Sequence, residues 1–288
     1  MSGFTLPSAS LLSQSILSGV FVGALYGLMG LGVSLSWGLL RLINLAHFAF
    51  AFLAAYLCYQ MATMGVDPLL TLLVIVPAFF ALGVALHWVM ARFKVTPFNS
   101  LLLTFGLMGI VEAVIQTIWT ADFRKLESTY GEHKFKVGTL FVPVPEFITL
   151  LLAVAISLAV WAVLRYTDLG KALRAAAEDA PIASAFGVNQ TRNALLLAGT
   201  CSALASIAGV CLALSFTLAP SQMYAWIGVV FAAVMLGGLG RALGPLVAGT
   251  VIGVSEAITM AVTAPSWAPI VSFTLLILIL VLRPGKAA

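Results

Sequence analysis

The chain has 288 residues, of which 62% are hydrophobic and 8% charged, and its formal net charge is +4. A water-soluble domain carries about 25% charged residues, so this composition excludes an ordinary soluble globule. It points to an all-α, polytopic transmembrane bundle. With so few charges, the positive balance reports on membrane topology rather than on a nucleic-acid surface.

The opening stretch MSGFTLPSASLLSQS has no basic region, so the first spanning helix, not a cleaved signal peptide, is expected to direct insertion. A span needs about 20 apolar residues. Nine stretches qualify: 14–36, 45–64, 68–91, 97–119, 147–164, 193–218, 225–240, 244–264 and 266–282. The segment 225–240 is short enough to read also as broken or re-entrant, so about 8–9 spans are expected in one transmembrane domain, 1–288. Nine crossings put the N-terminus outside and the C-terminus in the cytoplasm. Inside would then lie Arg41, Arg92, Lys94, Arg165, Lys171, Arg174, Arg192, Arg241, Arg283 and Lys286. Outside would lie Arg124, Lys125, Lys134 and Lys136. Ten against four agrees with the excess of Lys and Arg on cytoplasmic loops.

Taken in order, the first span carries Gly19, Gly23 and Gly27 four residues apart. That spacing makes a smooth strip against which another helix can pack closely; whether that helix belongs to this chain or to another subunit is left open. The next stretch reads WGLLRLINLAH. Asn44 and His47 sit where the chain turns back into the membrane, and Asn44 suits a cap of the second helix. Pro97 fits the first turn of span four, and Pro77 lies inside span three, where it can kink the helix. Glu112 and Glu256 lie among apolar residues, where charge is costly; such residues usually face a bundle interior or a water path. The plainer reading of both is a hydrogen-bonded helix–helix contact. Residues 120–146 form the longest extracytoplasmic loop, and KFKVGTLFV within it reads as a short strand or an irregular loop.

The polar interruption 165–192 reads RYTDLGKALRAAAEDAPIASAFGVNQTR. Thr167 or Asp168 can cap a helix there. Leu169, Leu173, Ala176 and Ala180 share a helical face. Pro181 fits the first turn of a second short helix, with Asp179 near its cap and Gly187 at its end. Two short helices outside the membrane can receive another protein; otherwise they are a connector. Further on, 237–253 reads GGLGRALGPLVAGTVIG. Gly237, Gly238 and Gly240 can unwind backbone beside a substrate path, whereas Gly244, Gly249 and Gly253 suit tight packing.

Several classes are excluded. No GxxxxGK[ST], HExxH or GxSxG occurs, so neither a P-loop nor these catalytic motifs are present. Cys58, Cys201 and Cys211 form no CxxC pair, so no metal site and no cofactor is expected.

Three stretches together resemble one family: GALYGLMGLGVSLSWGLLRLINLAHFAF (23–50), LGKALRAAAEDAPIASAFGVNQTR (169–192) and MLGGLGRALGPLVAG (235–249). They are similar to the permeases of bacterial branched-chain amino acid ABC importers, of the shorter of two permease types. The resemblance covers nearly the whole chain. It implies a non-enzymatic, multi-pass subunit of the bacterial inner membrane, surrounded by lipid and binding no nucleic acid. The implied partners are a second related permease, two cytoplasmic ATPases and an extracytoplasmic substrate-binding protein, and the substrate is a small molecule. Residues 165–192 then become the ATPase-coupling loop, with Leu169, Gly170, Arg174, Glu178, Asp179 and Gly187 as its expected contacts. Asn44 and His47 match an Asn-x-Ala-His element. With Glu112, Gly237, Gly238, Gly240 and Glu256 they form the candidate translocation path. Two departures stand out: Phe48, Phe50 and Phe52 follow the His where glycines are usual, and Arg241 stands where Ser often follows GGxG. Relatives carry urea, short amides or other amino acids. Outside this family, an ion-coupled secondary carrier and a purely structural membrane subunit are the rival readings.

Overall fold

A computed structural model describes residues 8–263 and 265–282. The expected cytoplasmic residues Arg283 and Lys286, and the C-terminal end itself, lie outside that range. The architecture is an α-helical bundle. In chain order it comprises α1 (Ala9–Leu40), α2 (Ala46–Thr63), α3 (Leu72–Arg92), α4 (Pro97–Trp119), a one-turn α5 (Thr129–Glu132), a hairpin β1 (Lys134–Val137) and β2 (Leu140–Pro143), and α6 (Val144–Tyr166). Then follow α7 (Asp168–Glu178), α8 (Ala180–Ala185), α9 (Gln190–Ser215), α10 (Met223–Gly237), α11 (Gly244–Val262) and α12 (Ala268–Leu282). The segment KFKVGTLFV is therefore an antiparallel hairpin, with Lys134 opposite Pro143 and Val137 opposite Leu140.

Among the described residues, seven helical segments are long and apolar enough to cross a membrane, one of them Pro220–Gly237, which joins a 3-10 turn to α10. This corrects the expected eight to nine. The two that fall short are α2 and α12. Tyr56, Tyr59, Gln60 and His47 dilute the apolar character of α2, and α12 has 15 residues. The short segment near 225–240 proves to be a continuous helix that ends in a glycine turn, with Gly238 at φ +89°.

In hydrocarbon no water can satisfy the backbone, so each span closes its own hydrogen bonds as a helix. Apolar side chains gain little by leaving lipid for protein, so close van der Waals contact has to hold the helices together. The inner layer is α1, α2 and α9. Every residue from Ala46 to Phe52 is buried, as are Ala54, Ala55 and Tyr56, so α2 has no lipid-facing side. Phe48 lies near-parallel to Phe231, with ring centroids 6.2 Å apart, and Phe50 meets Phe79 edge-on at 5.9 Å. The phenylalanines that stand where the resembled family has glycines thus fill the core. The outer layer keeps broad apolar faces exposed, for example Leu73, Phe105 and Ile110.

The two glycine zones meet each other. Added side-chain carbons at Gly19, Gly23 and Gly27 would strike the backbone of Val254, Thr250 and Leu246. Those at Gly249 and Gly253 would strike Gly23 and Gly19. Helix α1 therefore runs antiparallel to α11 within this chain, backbone against backbone. Gly244 packs in the same way against Gly237, closing the α10–α11 corner.

Two ends of the bundle are distinct. At one end Gln14 brackets Phe141, donating from Nε2 to its carbonyl and accepting from its N–H, both at 2.9 Å. Arg124 and Leu218 exchange backbone hydrogen bonds there, and the Tyr130 hydroxyl donates to Asp67 at 2.7 Å. At the other end lie the α1–α2 elbow, α7, α8 and the α10–α11 turn.

The glycine contact generates a prediction. Gly23→Val places a branched side chain against the carbonyl of Gly249, an overpacking that costs about 1–3 kcal/mol. The thermal unfolding midpoint in detergent should fall, whereas Gly106→Ala, which meets nothing within 4 Å, should leave it unchanged. A second prediction concerns the outer tie. The Tyr130 hydroxyl holds the Asp67 carboxyl below its usual range. A lowered folded pKa contributes stability that is fully present above the ordinary Asp value, about 3.9, and lost as pH falls through the lower folded value. Hydrogen exchange of residues 120–143, taken relative to the intrinsic rate at each pH, should therefore not change between neutral pH and pH about 5 through this pair, and should quicken below that value. In Tyr130→Phe it should be faster throughout.

Candidate functional site

The polar interruption folds into a helical elbow built by its own caps. The Thr167 hydroxyl accepts from the Gly170 N–H at 3.1 Å and starts α7. The Asp179 carboxylate accepts from the Ile182 N–H at 3.0 Å and starts α8. Helix α8 closes at Gly187, whose φ of +86° is a region that residues with a side chain rarely adopt. Gly170 has a separate duty. A side chain there would strike the backbone of Val163 and Leu164, so its absence lets α7 fold back against the end of α6. Leu169, expected to share a face with Leu173, is 38% exposed where Leu173 is buried, and Ala180 opens α8 rather than continuing α7. The elbow breaks at Asp179, so the four-residue face does not persist.

Leu173 is the peg of this elbow. It is buried in a cluster with Leu31 and Leu35 of α1, Leu164 of α6, and Leu197 and Leu204 of α9. A displacement of α7 is thereby shared with three spans. The Arg41 guanidinium adds a second tie, donating from Nη2 to the Ala177 carbonyl at 2.8 Å. Arg41 itself ends α1 in the left-handed region, at φ 54°. Glu178 and Asp179 line a cavity of about 580 Å³ with Arg41, His87 and Gln190. Lys171 pairs with Asp168 at 3.0 Å on the exposed side, and Arg174 is exposed. Two apolar side chains stand out toward solvent here: Phe186 is 87% exposed and Ile182 57%. Sequence reasoning passed over Phe186 and the tie made by Arg41. An unpaired aromatic beside the chain-reversing Gly187 was the available signal for the first; nothing local marked the second.

The residues proposed for a path lie in separate surroundings. His47 is buried where α1, α2 and α9 meet, in space left by Gly32. Its Nε2 is 3.0 Å from the Met29 carbonyl; a carbonyl only accepts, so Nε2 carries the proton. Asn44 does not cap α2: Leu45 holds that position, with no side-chain cap bond. Its Oδ1 is buried without a partner beside a cavity of about 10 Å³ shared with His87, whose Nδ1 is likewise unpartnered. That space suits one bridging water. Glu256 is buried between α1, α11 and α12 and accepts from the hydroxyls of Tyr26, at 2.9 Å, and Ser272. Glu112 accepts from Gln116 at 3.1 Å and from the Tyr224 hydroxyl at 2.6 Å, tying α4 to α10. Both carboxylates are thus engaged in helix–helix contacts. Gly238 and Gly240 form the turn after α10, where the Gly240 N–H donates to the Ser34 carbonyl at 2.9 Å. The Ser34 hydroxyl reaches the carbonyls of Gly238 and Arg241 at 3.3 and 3.2 Å.

The structure is thus a bundle of spanning helices with an amphipathic elbow pegged into one end. The family described as "Branched-chain amino acid transport system / permease component" matches residues 15–280. The chain belongs to this family. Its members are transport subunits of ABC importers without a nucleotide site of their own, and this permease is accordingly a multi-pass protein of the inner membrane. It is 26% identical to the high-affinity branched-chain amino acid transport system permease protein LivH of Salmonella typhimurium (strain LT2), over 94% of this chain and 93% of the relative. It is also 26% identical to LivH of Escherichia coli (strain K12), over the same shares. To the corresponding protein BraD of Pseudomonas aeruginosa it is 25% identical, over 94% of each chain. No solved structure matches the permease.

The ties around Glu256 generate a prediction. Glu256→Gln keeps an acceptor for one of the Tyr26 and Ser272 hydroxyls and offers its amide N–H to the oxygen of the other, so thermal stability and solute uptake should stay near wild type. Glu256→Leu leaves both hydroxyls unpaired and should lower stability by about 1–3 kcal/mol per stranded group. A selective loss of uptake in the stably folded Gln variant would instead make the carboxylate part of transport.

Proposed function

We propose that the permease forms, with a second related permease, the membrane pathway of an ATP-driven importer of branched-chain or related amino acids. One of two cytoplasmic ATPases docks on the α7–α8 elbow, the other on the second permease, and an extracytoplasmic binding protein delivers substrate at the opposite end. The observation that carries this reading is Leu173: the exposed α7–α8 elbow is pegged through it into α1, α6 and α9. Closure of the ATPases on ATP displaces the elbow, and the pegged spans follow as rigid bodies. The complex then shifts between populations open to one face or the other. Phe186 and Ile182 supply apolar anchors for docking, and Glu178 and Asp179 supply the charged contact.

Orientation follows from charge. Arg41, Arg92, Lys94, Arg165, Lys171, Arg174, Arg192 and Arg241 gather at the end that bears the elbow; Arg124, Lys125, Lys134 and Lys136 sit at the other. The positive-inside rule assigns the elbow end to the cytoplasm and the N-terminus to the outside. The tied-down segment 120–143 then covers the outer mouth, where the binding protein would rest. Transport needs few charges of its own. Helix ends and backbone carbonyls can meet a zwitterion's carboxylate and ammonium groups, and apolar walls accept a branched side chain.

The test is reconstitution. Vesicles holding this chain with its partner permease, ATPases and binding protein should accumulate leucine, isoleucine or valine only with ATP, and the chain alone should move nothing along an ion gradient. Gradient-driven uptake by the chain alone would mean an ion-coupled carrier, and uptake confined to urea or short amides would move the substrate class. Phe186→Ala and Glu178→Arg should each cut ATPase co-purification by about tenfold or more, as loss of an interface anchor does. Intact assembly and uptake in Gly187→Pro would rule out the elbow as the docking site.

A further inference from the structure

Beside the elbow, at the same end of the bundle, lies a cavity of about 680 Å³ to which the proposed function assigns no ligand. Arg165 of α6, Arg174 of α7 and Arg241 of the α10–α11 turn all line it. Among the described residues, none of these three guanidinium groups has a carboxylate within salt-bridge distance. The groups they do meet are neutral. Arg165 lies 5.4 Å from the Trp161 ring centroid and 5.9 Å from that of Tyr166, and Arg174 reaches the Gly170 carbonyl at 3.5 Å. The Arg241 side chain, from Cδ to the guanidinium carbon, lies over Gly238. The N-terminus of α11, a 19-residue helix, opens into the same cavity at Leu243 and Gly244 and adds its positive dipole end. Three cations and a helix N-terminus facing one space, with no acid among them, call for an anion. Arginine suits a phosphate because its fork donates two parallel hydrogen bonds.

The surroundings indicate where that phosphate is attached. The cavity reaches past the helix ends into the spans, to Trp161 and Val247. Tryptophan and tyrosine favour the headgroup level of a bilayer. From the cavity two apolar rows lead away along the spans: Leu158, Val154 and Leu151 on α6, 47%, 36% and 54% exposed, and Val247 and Val251 on α11, 63% and 49% exposed. A soluble anion has no use for them; acyl chains do. We infer that this cavity binds the headgroup of an anionic phospholipid of the inner leaflet, held by Arg165, Arg174 and Arg241, with its chains along α6 and α11. The inference rests on the proposed orientation, which puts this end at the cytoplasmic leaflet, where basic pockets between spanning helices meet anionic lipid.

The experiment measures lipid retained, not solute moved, so a failure of uptake would leave this assignment standing. The purified transporter is equilibrated in mixed micelles of equal phosphatidylglycerol and phosphatidylcholine, and bound lipid is counted by native mass spectrometry. Phosphatidylglycerol should be enriched. Removing one arginine near a membrane surface weakens such binding about fivefold, so a variant carrying Arg165→Gln and Arg241→Ser should lose enrichment by about tenfold or more. Both side chains are exposed, and an unchanged thermal midpoint in phosphatidylcholine checks the fold. Lys125→Gln with Lys136→Gln, an equal loss of charge at the other end, should change nothing. Equal retention of the two lipids, or full enrichment in the arginine variant, overturns the assignment. Displacement of the lipid by millimolar inorganic phosphate would assign the cavity to a soluble anion and overturn it as well. So would retention by the isolated chain that vanishes in the assembled complex, since partner carboxylates would then occupy the arginines.

Discussion

The bundle depends on one close contact, the approach of the α1 and α11 backbones across Gly19, Gly23 and Gly27 on one side and Gly249 and Gly253 on the other. In lipid the apolar side chains of both helices are already in a solvent they tolerate, so burial offers little drive to associate. Dispersion between surfaces that fit has to supply it, and contact improves when the side chains between two backbones are removed. The antiparallel pairing also sets what happens at its ends. It brings the turn after α10 beside the last turns of α1, where Ser34 takes up the Gly240 N–H and two carbonyls of the turn. It also leaves Glu256 facing Tyr26 and Ser272 rather than hydrocarbon.

In the proposed mechanism, motion at one face has to reach the interior. Long apolar helices alone transmit little, because they slide against lipid and one another at low cost. Leu173 changes that by placing an elbow residue among leucines of three spans, in a packed cluster that resists compression. Gly170 makes the placement possible by letting α7 lie against the end of α6. Arg41 ties the α1–α2 corner to the end of α7, next to the cavity that holds Glu178 and Asp179. Elbow, corner and inner layer therefore form one connected body at the end from which force would arrive.

Polar groups within the spans serve as ties, and here the contribution of residue type was legible but that of partner was not. A carboxylate among apolar residues demands a partner, which the cost of burying charge already implies. That Glu112 would find Tyr224, 112 positions away in the chain, has no local signature. The same holds for His47, whose room is made by Gly32 and whose proton is fixed by Met29. Asn44 reads as a helix cap because its residue type fits, yet the helix starts one residue later and leaves its Oδ1 beside a small cavity.

What the sequence by itself determined is whatever depends on composition and short spacing. The helical class follows from hydropathy; the caps of the elbow at Thr167 and Asp179 and its end at Gly187 follow from local hydrogen bonding and backbone freedom; the glycine strips follow from a repeat of four. The tertiary structure alone decided that the two strips face each other, that Phe48 and Phe50 fill the core, and where each helix ends, which leaves seven segments among the described residues long and apolar enough to span. It also decided that Arg165, Arg174 and Arg241, separated by as many as 76 positions, share one cavity. The reason is the same in each case. Pairing between distant segments is set by the shapes of surfaces that exist only after the helices have formed, and no spacing along the chain encodes which surface will meet which.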